Sequence, residues 1–181
     1  DAAFAAWTEA NAGTGRIGNR ATGAHIAIGL GELAVERGDP EEALALVSGA
    51  LDLLAAGNLW TYEPWAWTVA VRAHLSSGDL AAAAACGRRG LAELDRVPSG
   101  ETVRLATELA ALAVAAGDDV AAARILGVVA VTRDRRELPF PSPQEAERRE
   151  ALRQGVEARL GAEVAIHLEA GGRCSPSEAA G

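Results

Sequence analysis

The chain has 181 residues, 42 of them alanine, with 49% of positions apolar, 4% aromatic and a net charge of −8 at a pI near 4.9. That balance excludes a phosphate-tracking surface for nucleic acid, which needs clustered cations. No apolar run approaches the ~20 residues of a membrane-spanning helix, so no membrane contact is expected.

An alanine-rich, aromatic-poor chain favours many thin helices packed closely, because alanine keeps full helix propensity and loses no side-chain entropy. The expected fold class is all-α, with residues 1–181 forming a single domain. In chain order the spacing predicts helices near 2–12, 22–37, 40–56, 62–77, 79–95, 100–116 and 119–136. The stretch Gly13-Thr14-Gly15-Arg16-Ile17-Gly18 matches G-x-G-x-x-G, but no strand precedes it, so it reads as an inter-helix loop and not as a dinucleotide site. After 136 a loop, Leu138-Pro139-Phe140-Pro141-Ser142-Pro143, breaks the pattern. Ser142-Pro143-Gln144-Glu145 is a capping box that opens a helix to about Leu160, and a shorter helix runs from Ala162 to Ala170. Ser175-Pro176-Ser177-Glu178 repeats the cap signature near the end. The chain starts at Asp1 within a helical pattern and without Met, so it reads as part of a larger protein.

A repeat underlies this order. Gly38-Asp39-Pro40-Glu41-Glu42-Ala43 recurs at Gly78-Asp79 and at Gly117-Asp118, with spacings of 40 and 39 residues. Each glycine can take the left-handed conformation that closes one helix, and each aspartate can then cap the next. In the first copy Pro40 suits the first helical position and Glu42 completes a capping box. Three helix pairs follow, at about 21–57, 61–96 and 99–136, with a C-terminal helical cap over 142–181.

Leu30, Gly31, Ala43, Val47, Ala50 and Leu51 resemble the signature of a tetratricopeptide repeat; the second copy keeps Trp67, Ala83 and Leu91, and the third Leu109, Ala110 and Ala122. Val71 stands where Gly is usual, and Gly87 and Gly90 fall inside a helix. The run Ala121 to Gly127, with Arg133, Leu138-Pro139-Phe140-Pro141, Leu160-Gly161 and Gly172-Arg173, is similar to the tail of the repeat region in actinobacterial LuxR and AfsR-type regulators, which are signalling ATPases. It also resembles that of some multidomain adenylate cyclases. Arginine is the only basic residue besides histidine, which fits the coding bias of a GC-rich genome. The resemblance implies a right-handed superhelix of TPR-like hairpins in a cytoplasmic transcriptional regulator. There the repeats bind an inducer or a partner protein on their concave face and restrain neighbouring domains of the parent protein. The alternatives are a regulatory segment of an adenylate cyclase and a pure oligomerisation scaffold; a second copy of the chain, forming a homodimer, is a further candidate partner.

Candidate site residues follow from chemistry. Trp60, Tyr62, Trp65 and Trp67 crowd into eight of the residues of a chain with seven aromatics. They are either core filler beside alanine-rich helices or a stacking wall for a planar or sugar-like inducer or a partner peptide. Trp60 and Trp67 share a face if the helix begins that early, and Arg72 and His74 could supply polar contacts. Arg133, Arg136 and Arg149, interleaved with glutamates, form either a solvated face or an interdomain contact. The three histidines fall in three helices without metal-ligand spacing, and no nucleophile has a visible partner. No catalytic residue, metal or cofactor is therefore assigned. Cys86 and Cys174 make no spacing motif and read as free thiols.

Overall fold

The computed structural model describes residues 9, 20–59, 62–94, 101–136, 143–175 and 178–179, and every regular element among them is a helix. The chain divides into two compact units, 1–97 and 98–181. All of the helix expected near 2–12 except residue 9, the 13–18 stretch, Trp60 and residues 137–142 lie outside the described residues.

In the first unit α1 spans Arg20–Glu36, α2 Pro40–Gly57, α3 Glu63–Ser77 and α4 Leu80–Leu94. The pairs α1–α2 and α3–α4 are hairpins, and α3 also packs on both α2 and α1. In the second unit α5 spans Glu101–Ala115, α6 Asp119–Arg136, α7 Pro143–Leu160 and α8 Val164–Gly171, with a 3₁₀ turn at Gly161–Glu163 before α8. Here α5–α6 is the hairpin and α8 packs closely on α6.

The Gly-Asp turns have one geometry three times over. Gly38, Gly78 and Gly117 have φ of 79°, 79° and 81°. In the first turn Gly38 N–H donates to Val35 O at 3.0 Å and Asp39 N–H to Ala34 O at 2.9 Å. The same two bonds recur at Gly78 and Asp79 and at Gly117 and Asp118. This pattern satisfies the last carbonyls of the first helix. Each aspartate Oδ1 then accepts an N–H three residues on, from Glu42 (3.0 Å), Ala82 (2.9 Å) and Ala121 (2.8 Å). Five residues after each glycine an alanine, Ala43, Ala83 or Ala122, is fully buried where the two helices meet. Larger side chains there would hold the helices apart.

The capping box expected at Glu42 is only half formed. Asp39 N–H is already used by Ala34 O, and the Glu42 carboxylate instead takes Arg37 Nη2 at 2.6 Å. Ser142, the other half of the box expected at Glu145, lies outside the described residues; Glu145 pairs with Arg104 Nε at 2.7 Å. The box at Ser175 is complete: Ser175 N–H donates to Glu178 Oε2 at 2.7 Å, and Glu178 N–H to Ser175 Oγ at 3.4 Å. A fourth left-handed closure, unforeseen in the sequence, ends α2 at Asn58 (φ 52°), where Leu59 N–H reaches Leu54 O at 2.9 Å.

The core of the first unit joins Ala24, Ile28, Val47, Leu54, Ala66 and Val69. Full burial of side chains such as Ile28 and Leu54 contributes about 1.5–3 kcal/mol each relative to exposure. Thr68 and Thr107, 39 residues apart at equivalent repeat positions, are both buried. Each hydroxyl donates to the carbonyl four residues back, Pro64 O or Val103 O, at 2.8 Å. That bond removes the cost of an unsatisfied polar group in the core.

The helix α7 is held differently. Val156 is its only fully buried residue, and ion pairs tie it down: Arg148 to Glu108 at 2.7 Å, Glu145 to Arg104 at 2.7 Å, and Arg159 to Asp119 at 2.8 Å.

Candidate functional site

The helix α3 spans Glu63–Ser77, and the expectation that Trp60 and Trp67 share a face falls on a residue outside those described. Its remaining aromatics divide between two neighbours. Tyr62 and Trp65 turn to α1, where the exposed His25 ring meets Tyr62 edge-on at 5.9 Å and Trp65 at 4.8 Å. Trp67 turns to α4, with the Arg89 guanidinium carbon 5.4 Å from its ring centroid. Two residues along a helix rotate the side chain by about 200°, so Trp65 and Trp67 cannot line one wall. Both are half-buried against the core of the first unit. Tyr62 is the outward member, 38% exposed.

Arg72 stands seven residues after Trp65, and Glu32 seven after His25. Seven residues bring a side chain back to nearly the same face. Arg72 Nη1 and Glu32 Oε1 approach to 4.0 Å, with side chains 14% and 19% exposed. The pairs His25–Trp65 and Glu32–Arg72 advance in the same direction, so α1 and α3 run parallel along this seam. One end is aromatic and partly open, and the other carries a sheltered ion pair. Such a strip can stack a flat ring at the Tyr62–His25 end and offer it a carboxylate and a guanidinium further along.

His74 does not belong to this strip. It lies two residues beyond Arg72, about 200° around the helix, and stands in the last turn of α3, where a basic group complements the helix dipole. His25, Glu32 and Arg89 complete contacts that the sequence did not assign. The repeated seven-residue spacing of His25–Glu32 and Trp65–Arg72 was the available signal, and it acquires meaning only once α1 and α3 are known to be neighbours.

Arg149 lies on α7 beside a cleft within the second unit. The side chains of Arg133 and Arg136 lie outside the described residues. Cys86 is half-buried on α4, and burial pushes its thiol above the ordinary value despite the nearby Arg89, so it stays protonated at neutral pH. Cys174 is exposed. Among the described residues no group of His, Cys, Asp or Glu is placed to hold a metal ion, and no helix is long and apolar enough to cross a membrane.

Compared with protein families, curated proteins and solved structures, the chain matches none.

Proposed function

We propose that this chain is a helical-repeat sensor or interaction module of a cytoplasmic bacterial transcriptional regulator, with TPR-like hairpins in a right-handed superhelix. On this reading an inducer or partner protein binds the strip shared by α1 and α3. The observation that carries it is the parallel placement of His25 and Glu32 against Trp65 and Arg72 on two successive first helices. An aromatic platform, left partly exposed beside a sheltered ion pair, is the kind of surface that takes a flat or sugar-like ligand. The thrice-repeated Gly-Asp turn supports the repeat assignment.

The mechanism is allosteric. A ligand that stacks on Tyr62 and competes for Arg72 or Glu32 favours one spacing of α1 and α3 over another. The change in spacing is then passed to contacts with neighbouring domains.

The test has two parts. The flanking reading frame is expected to encode a nucleotide-binding switch or a DNA-binding domain; neither on either side sinks the regulator reading. In the full-length regulator, combining His25→Ala with Tyr62→Ala is expected to abolish inducer or partner response while the helical circular-dichroism signal is retained. An unchanged response removes the strip from the proposal.

A further inference from the structure

The second unit holds a cleft of about 640 Å³ between α6, α7 and α8. Its floor is apolar, built from Leu126, Val129 and Val131 of α6 with Leu168 of α8. The opposing wall is not. Ala146, Arg149, Glu150 and Arg153 of α7 face the cleft at the i, i+3, i+4, i+7 spacing of a single helix face.

A helix that merely capped this core would place leucine or isoleucine at those positions. Here three of the four are charged, although the surface across from them is hydrocarbon. Arg173, just after α8, adds a third guanidinium to the rim, where Glu150 and Glu169 are the carboxylates among the described residues.

The rim ion pairs are replaceable. Arg173 pairs with Glu169, both about three-quarters exposed, and Arg153 with Glu150 and Glu157. Exposed pairs of this kind contribute little, so a ligand carboxylate can take the place of a glutamate. A volume near 640 Å³ is that of a site for a drug-sized small molecule.

We propose that this cleft binds an amphiphilic carboxylate, its hydrocarbon body on the α6–α8 floor and its head among Arg149, Arg153 and Arg173. The site is independent of the α1–α3 strip, and all the tryptophans lie in the first unit, so calorimetry is the suitable readout.

The probe is dodecanoate kept below its micellar concentration, titrated into the whole chain. One-to-one binding is expected, at least ~10-fold tighter than dodecanol and tighter still than dodecylammonium, since a charge-assisted contact of this kind is worth about a factor of ten. Ala130 lines the cleft and is exposed, so Ala130→Trp fills it from the α6 side and is expected to abolish binding. The double variant Arg149→Gln, Arg173→Gln is expected to weaken dodecanoate by ~10-fold and leave dodecanol unchanged. Absence of binding, equal affinity for dodecanol, or undiminished affinity in Ala130→Trp would each overturn the proposal. If Ala130→Trp fails to fold, the double variant decides: unchanged dodecanoate affinity rejects the site.

Discussion

Gly127 of α6 lies so close beneath Leu168 of α8 that a β-carbon built on it would stand 2.0 Å from the Leu168 carbonyl oxygen. The contact is reciprocated: a β-carbon on Gly171 would stand 1.8 Å from Arg124 O. Both obstacles are backbone, which cannot turn aside as a side chain can. Gly127→Ala and Gly171→Ala are each expected to cost about 3 kcal/mol or more in chemical denaturation, at the upper end of overpacking. Gly49→Ala is the contrast. That glycine is exposed in mid-helix with nothing within 4 Å of an added β-carbon, and the change is expected to stabilise by about 0.5–1 kcal/mol.

The Gly-Asp turns predict a repeated cost. Asp39→Ala, Asp79→Ala and Asp118→Ala each remove a bond to an otherwise orphan N–H and should each destabilise by about 1 kcal/mol. Gly78→Ala places a β-carbon on a left-handed residue and should cost about 1–2 kcal/mol. Thermal melts of the single variants check this; a shift confined to one of the three aspartates would break the equivalence of the repeats.

The ion pairs of α7 predict a salt-sensitive helix. Glu108 is 7% exposed while its partner Arg148 is 46% exposed, so removing the arginine takes compensation from a buried carboxylate. Arg148→Ala should cost about 1–2 kcal/mol, below the full penalty for a buried pair because one partner is wet. Hydrogen exchange over residues 143–160 is expected to speed up in high salt more than exchange over 119–132, whose core is apolar. Equal acceleration of both segments would count against electrostatic docking.

Glu150, although exposed, predicts a carboxyl that stays ionised in mild acid while its pair contributes little to stability. Hydrogen bonds from Arg153 and then Gln154 hold its carboxyl at about 2, against an ordinary 4.5. A folded value below the unfolded one means the stabilising effect is fully present above about 4.5 and is lost as pH falls through about 2. Carboxyl NMR titration should show Glu150 ionised at pH 4, with Arg153→Gln returning its midpoint towards 4.5. A wild-type midpoint near 4.5 would show that the pair does not persist in solution.

What the sequence alone determined was much of what is settled within about six residues. The Gly-Asp turns, their caps and the ends of most helices depend on bonds between near neighbours in the chain, so Gly38-Asp39, Gly78-Asp79 and Gly117-Asp118 were legible as letters. Even here competition intervened: Glu42 suited a capping box, yet Arg37 took its carboxylate. Tertiary structure decided what lies across the gap between helices. Trp65 and Trp67 stand two residues apart, but only the positions of α1 and α4 sent one to His25 and the other to Arg89. Nothing in the sequence sets Gly127 and Gly171 apart from other glycines, whereas the crossing of α6 and α8 makes them necessary. The reason is physical. A turn closes through short-range backbone bonds that its own residues specify, while a helix face acquires its meaning from whichever neighbour excludes water from it.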